Sequence, residues 1–125
     1  MKDGKFVILC VDDDQDILQT LRLLLEKNGY VMAGASTAAE ALELAKQTSP
    51  DLLIVDLMME QIDSGTHLVS RLRASGSEVP IYMLSAVGDS LEQTFDSSSL
   101  GLDGVFQKPI DPKHLLATLK ARLKG

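Results

Sequence analysis

Residues 6–13 read FVILCVDD, six apolar residues followed directly by two carboxylates. Three later stretches have the same form, an apolar run that leads to a chemically functional residue: 52–55 before Asp56, 81–84 before Ser85, and 105–106, after Gln107, before Lys108. Short apolar runs bounded by turn residues are typical of buried parallel strands. Together these stretches predict four strands of one parallel sheet.

Helical patterns lie between the apolar runs. After Asp13, leucines recur at helical spacing as far as Asn28, and Gly29 then suits a left-handed helix end. A further strand is predicted at 30–35, and further helices follow Thr37, Gly65, Asp89 and Asp111. Five strand–helix units in succession favour an α/β fold, a doubly wound five-stranded parallel sheet with helices on both faces.

Composition bounds the size and class of the protein. The chain has 125 residues, 45% hydrophobic and only 4% aromatic, which fits a single domain over 1–125 with an aliphatic core. Its net charge of −6 argues against direct binding to nucleic acid.

The single cysteine, Cys10, lies within an apolar strand, so we interpret it as a small buried core residue that forms no internal disulfide. No apolar stretch approaches the roughly 18 residues of a membrane span, and residues 1–5 lack a signal-peptide segment. We therefore expect a cytoplasmic chain without a membrane partner.

The residues that follow the strands are expected to converge. Parallel strands place their carboxyl ends at one edge of the sheet, where ligands bind in open α/β folds. A single Asp after a strand is usually a cap or turn residue. Four strand ends with matching chemistry instead predict a divalent cation beside a phosphoryl group, held by Asp12, Asp13, Asp56, Ser85 and Lys108.

The same motifs carry a family resemblance. They are Val11-Asp12-Asp13-Asp14, Asp56-Leu57-Met58-Met59, Ile81-Tyr82-Met83-Leu84-Ser85-Ala86 and Lys108-Pro109. In this order and spacing, over essentially the whole chain, the sequence resembles the receiver domain of bacterial two-component response regulators. The resemblance implies a flavodoxin-like fold with strand order 2-1-3-4-5.

The resemblance also implies roles for individual residues. Asp56 matches the phosphoacceptor, Asp13 a direct Mg²⁺ ligand and Asp12 a ligand through water. The remaining matches are the backbone carbonyl of Met58, which binds the metal, and the side chains of Ser85 and Lys108, which bind phosphoryl oxygens. These types suit the chemistry, since Mg²⁺ prefers oxygen ligands and a lysine balances phosphoryl charge.

In such a family the chain is a signalling phosphoacceptor rather than a conventional enzyme, although it promotes its own phosphorylation and dephosphorylation. The phosphoryl group comes from a histidine kinase or a phosphotransfer protein. The implied downstream partner is another protein or an output domain. A second copy of the chain is a further candidate, through the face of the predicted helix at 89–99, the fifth strand and the helix after Asp111.

The expected switch differs from the family pattern. Ser85 matches the switch hydroxyl, but the aromatic switch residue of the family, three positions before the lysine, is Val105 here. Phe106 lies one position later, so strand alternation directs it to the opposite face of the sheet. We interpret Phe106 as a core residue. The two histidines, His67 and His114, are interpreted as solvent-facing side chains on helices.

Two alternative functions remain open on the residues alone. One is a magnesium-dependent phosphotransferase or phosphatase that forms an aspartyl phosphate, but such enzymes typically carry a second acid where this chain has Met58. The other is a degenerate receiver that acts only as an interaction module. The complete set of site residues argues against that second alternative.

Overall fold

A computed structural model describes residues 4–56, 64–85, 103–107 and 110–123, with the backbone alone at 64–67, 85 and 107. The strands are β1 (Val7–Val11), β2 (Val31–Ala35), β3 (Leu52–Asp56), β4 (Ile81–Ser85) and β5 (Gly104–Gln107). The helices in these residues are α1 (Gln15–Lys27), α2 (Ala38–Thr48), α3 (Ser64–Ala74) and α4 (Pro112–Arg122). The predicted helix at 89–99 lies outside the described residues.

The sheet has the predicted architecture. All four pairings are parallel, and the strand order is β2-β1-β3-β4-β5. The chain reverses direction across the sheet after β2, which places the central strands β1 and β3 side by side. Every residue of these two strands is buried, as expected for strands covered by helices on both faces.

Helix starts follow the predicted caps. The Asp14 carboxylate accepts a hydrogen bond from the backbone N–H of Asp16 at the start of α1, and Asp111 caps α4 in the same way. Thr37 Oγ1 accepts a hydrogen bond from the N–H of Glu40 (3.1 Å). The Glu40 carboxylate reaches back to the N–H of Ser36 (2.7 Å), so two N–H groups at the start of α2 gain partners.

The residues next to each helix also determine where α1 and α2 end. Gly29 adopts a φ of +88° after α1, a conformation that glycine tolerates without a steric penalty. Ser49 adopts a φ of +47° after α2, where the following Pro50 prevents the helix from continuing. These two turns return the chain to β2 and β3.

The two faces of the sheet carry separate apolar layers. Alternate residues of β1, such as Ile8 and Cys10, pack against α1 and α4, whereas Leu9 and Val11 pack against α2 and α3. Cys10 is fully buried, as predicted, and burial raises the pKa of its thiol to about 12. The thiol is therefore protonated at neutral pH. None of the helices in the described part of the chain has the length and apolarity that a bilayer crossing requires.

Candidate functional site

Three aspartates meet at the carboxyl edge of the sheet. Asp12 and Asp13 follow β1, and Asp56 is the last residue of β3. Because Val11 is in register with Val55 on the adjacent strand, Asp12 and Asp56 lie at the same level. One carboxylate oxygen from each of the three residues lies within 4.8 Å of the other two. The structure thus brings together the three acids that the sequence predicted to converge.

The cluster combines buried and accessible carboxylates. Asp12 is completely buried and Asp56 is 4% exposed, whereas Asp13 lies on the surface. The Asp12 N–H donates to the carbonyl of Ala35 (3.0 Å), and Asp12 Oδ1 accepts a hydrogen bond from the N–H of Asp14 (2.9 Å). Strand pairing and the start of α1 therefore fix the position of Asp12, and the site is open to solvent on the side of Asp13.

The donor set fits a hard divalent cation. Close carboxylates repel one another, and a cation between them offsets this repulsion. Mg²⁺ binds oxygen ligands through one or two carboxylates and retains water molecules and substrate oxygens in the rest of its shell. The amino terminus of α1 also lies next to the acids, and its helix dipole favours negative charge there. The residues present are thus suited to Mg²⁺.

The structure describes only part of the other predicted site residues. Ser85 ends β4, one residue beyond the level of Asp56, since Asp56 is in register with Leu84. Gln107 is paired with Ser85 and is followed directly by Lys108. The side chain of Ser85, together with Met58 and Lys108, lies outside the described part of the structure.

The fifth strand has the predicted alternation. Phe106 is 3% exposed and packs in the layer of α1 and α4, as expected for a core residue. Val105 faces the opposite layer and packs, partly buried, against the cluster that contains Met83. The aromatic side chain of this strand therefore lies on the other side of the sheet from the position where the family pattern has one.

Sequence reasoning missed a polar cluster at the opposite edge of the sheet. Asp103, directly before β5, accepts hydrogen bonds from the N–H of Ile81 (2.9 Å) and from Arg122 Nη2 (2.6 Å). Arg73 Nη2 lies 3.5 Å from the same carboxylate. An aspartate immediately before a strand was the available signal, and Asp51 before β3 shows the same pattern with the N–H of Val7 (2.8 Å).

Comparison with known proteins gives a consistent result. The family model described as "Response regulator receiver domain" matches residues 8–120. Response regulator MprA of Mycobacterium leprae is 37% identical over 117 residues, which cover 94% of this chain and 50% of that protein. The MprA of Mycobacterium ulcerans matches with the same identity and coverage. The chain therefore spans about half the length of the curated relatives it matches.

Solved structures agree with this result. A putative response regulator from Chloroflexus aurantiacus superimposes with a TM-score of 0.83 at 32% identity, covering 94% of this chain and 97% of that one. The chemotaxis response regulator CheY4 of Vibrio cholerae gives a TM-score of 0.84 at 30% identity, covering 96% and 100% of the two chains. These matches do not favour the phosphotransferase or phosphatase alternative.

Proposed function

Because the chain belongs to the response regulator receiver domain family, whose members act in phosphorelay signalling, we propose that Asp56 accepts a phosphoryl group in an Mg²⁺-dependent reaction. The observation that carries this proposal is the convergence of Asp12, Asp13 and Asp56 within 4.8 Å at the carboxyl edge of the sheet. We treat residues 1–125 as one receiver domain.

Asp12 and Asp13 would hold the cation together with Asp56 and the backbone carbonyl of Met58. When bound, Mg²⁺ supplies positive charge that keeps Asp56 ionised and offsets the charge of the phosphoryl oxygens. Asp13 is the accessible acid of the cluster, which fits direct contact with an ion arriving from solvent. The Asp12 carboxylate accepts a hydrogen bond from the N–H of Asp14, which suits contact with the cation through a water molecule.

Asp56 acts as the nucleophile of the transfer. Its carboxylate oxygen forms a bond to phosphorus while the phosphorus–nitrogen bond of a phosphohistidine donor breaks, and the electron pair of that bond remains on the imidazole. The Ser85 hydroxyl and the Lys108 ammonium group each bind a phosphoryl oxygen. The burial of Asp56 restricts its exposed face to the open side of the cluster, which limits the directions of attack.

The donor is a histidine kinase or a phosphotransfer protein, whose phosphohistidine gives up its phosphoryl group and leaves a histidine imidazole behind. The chain then acts as a signalling phosphoacceptor, not as an enzyme with multiple turnover on a separate substrate. We propose that the phosphorylated state is read by an output domain or by a partner protein. A second copy of the chain is the alternative reader.

The proposal is tested by intact mass after incubation with Mg²⁺ and acetyl phosphate. Wild type should gain one phosphoryl group, and Asp56→Asn should gain none. Asp51→Asn is the matched control, because it changes the same residue type at the start of the same strand and should still be labelled. Labelling of Asp56→Asn at the wild-type level would contradict the assignment.

A further inference from the structure

Three rings contact one another in series across β4, β5 and α4, and we call this group the aromatic column. Its members are Tyr82 on β4, Phe106 on β5 and His114 in the first turn of α4. The rings of Tyr82 and Phe106 are stacked, with centroids 5.1 Å apart and an interplanar angle of 22°. The rings of Phe106 and His114 meet edge to face at 5.4 Å and 77°. Both are favourable geometries for aromatic pairs.

Gly104 makes room for the first ring of the column. Tyr82 is in register with Gly104 on β5, and a Cβ atom at position 104 would lie only 2.7 Å from Cε2 of Tyr82 and 3.0 Å from Cδ2. The Tyr82 ring therefore lies directly over the backbone of β5, where only glycine leaves enough space. Any side chain at this position must displace the ring.

Both ends of the column lie next to the same helix. His114 is in the first turn of α4 and Arg122 is its last residue; burial raises the pKa of Tyr82, and the nearby positive charge of Arg122 opposes that rise. Leu115 and Leu119 of this helix are completely buried in the same apolar layer as Tyr82 and Phe106. The position of α4 is thus coupled to the relative position of β4 and β5.

The two strands also lead to the candidate site. Tyr82 lies three residues before Ser85, and Phe106 lies two residues before Lys108. A movement of either strand end toward a phosphoryl group on Asp56 would shift one ring of the column against the next. Because closely packed rings cannot interpenetrate, the shift must be taken up by α4. On the opposite face, Val105 has no ring through which to transmit a movement.

We propose that the aromatic column is the path by which phosphorylation changes the position of α4. The proposal rests on the proposed function, because it takes a phosphoryl group on Asp56 as the trigger. Under this proposal, Tyr82, Phe106, His114 and Gly104 have a conformational role. The position of α4, and so the surface that this helix presents, depends on whether Asp56 is phosphorylated.

The first test needs no phosphoryl donor. Gly104→Ala should displace the Tyr82 ring and shift the NMR signal of His114, one of only two histidines in the chain. Gly34→Ala is the matched control in the opposite edge strand, because its new methyl group would meet no atom closer than 3.4 Å. A His114 signal that responds equally to both substitutions, or to neither, would overturn the coupling within the column.

The second test compares amide exchange of α4 before and after labelling with Mg²⁺ and acetyl phosphate, with intact mass recorded on the same samples. In wild type, labelling should change exchange across residues 112–122, and in Phe106→Leu this change should fall by at least half although labelling is retained. Val105→Ala, on the other face of β5, is the control and should respond as wild type does.

The outcomes separate the two proposals. Normal labelling with no change in α4, or an equal response of Phe106→Leu and wild type, would overturn the column and leave the phosphoacceptor intact. A wild type that takes up no phosphoryl group would overturn the proposed function and the switching role with it. In that case the response of His114 to Gly104→Ala would still show whether the rings are mechanically coupled.

Discussion

Aspartates lie at both edges of the sheet, but their surroundings differ. At the amino edge, where the strands begin, Asp51 and Asp103 each precede a strand. Each forms two hydrogen bonds with the first residue of the neighbouring strand. The aspartate N–H donates to the carbonyl of that residue, and the aspartate carboxylate accepts from the N–H of the same residue. At the carboxyl edge, Asp12, Asp13 and Asp56 bring carboxylate oxygens within 4.8 Å of one another.

The difference separates acids that stabilise the fold from acids that we propose to hold a cation. A carboxylate that accepts a hydrogen bond from the backbone stabilises the folded chain without any ligand. Charge-assisted bonds of this kind contribute about 1.5–3 kcal/mol. A cluster of like charges opposes folding until a cation joins it. Substitution of an amino-edge aspartate should therefore lower stability and leave phosphorylation nearly unchanged. Substitution of a carboxyl-edge aspartate should slow phosphorylation and, without a cation, raise stability.

The largest expected effect is on the labelling reaction. Asp13→Ala removes an accessible carboxylate that would hold Mg²⁺, so less positive charge faces the transferring phosphoryl group and labelling by acetyl phosphate should slow about a hundredfold. Labelling is followed by intact mass at a fixed Mg²⁺ concentration. Asp103→Asn, which lies at the amino edge, should label within about twofold of wild type. Equal slowing of both variants would mean that the two edges do not differ in function.

The second prediction concerns the metal. Mg²⁺ at ten times its dissociation constant should stabilise wild type by about 1.4 kcal/mol, because the ion binds only the folded chain. The stabilisation is measured as the increase in the urea midpoint at constant m-value. It should disappear in Asp13→Ala and persist in Asp51→Asn. A wild type whose midpoint does not respond to millimolar Mg²⁺ would contradict the metal site.

The third prediction compares neutralised acids in the presence of a chelator. Asp13→Asn removes like charge from the cluster and should raise Tm by roughly 2 °C, whereas Asp103→Asn weakens its hydrogen bonds and should lower the free energy of unfolding by roughly 1 kcal/mol. Thermal and urea denaturation of the same two variants provide the measurement. If both substitutions are destabilising, the carboxyl-edge acids are held by compensating partners rather than opposed to one another.

The sequence predicted the strands well because each buried strand is an uninterrupted apolar run bounded by polar residues. It also predicted the acidic cluster, since the carboxyl ends of parallel strands must meet at one edge. The observed strands begin one residue after the predicted starts at Phe6 and Tyr30 and one residue before the predicted start at Val105, so an apolar run locates a strand but not its exact first residue.

The amino-edge cluster and the aromatic column were not predicted, because both join residues distant in sequence through geometry. Arg73 and Arg122 reach Asp103 from helices on opposite faces of the sheet, and no local pattern records that convergence. Tyr82 and Gly104 are recognisable as partners only once the register of β4 and β5 is known. His114 was interpreted as a solvent-facing residue, and it is exposed, but it also contacts the ring of Phe106.

The smallest expected effect is a difference in stability between substitutions of the two arginines at the amino edge. Arg73 Nη1 donates to the carbonyls of Ser77 (3.0 Å) and Val79 (2.8 Å), so this side chain closes the turn between α3 and β4 as well as facing Asp103. The Arg122 side chain is 42% exposed, and its short contact with Asp103 is screened by solvent.

Arg122→Ala should therefore lower the free energy of unfolding by less than about 1 kcal/mol, the usual range for an exposed ion pair, and 0.5 M NaCl should reduce that loss further. Arg73→Ala should cost more, roughly 1–2 kcal/mol, and should be insensitive to salt, because the carbonyls it leaves are uncharged. Urea denaturation at low and high salt measures both. A larger and salt-dependent loss for Arg122→Ala would mean that the ion pair, and not the backbone hydrogen bonds of Asp103, holds β5 against β4 at this edge.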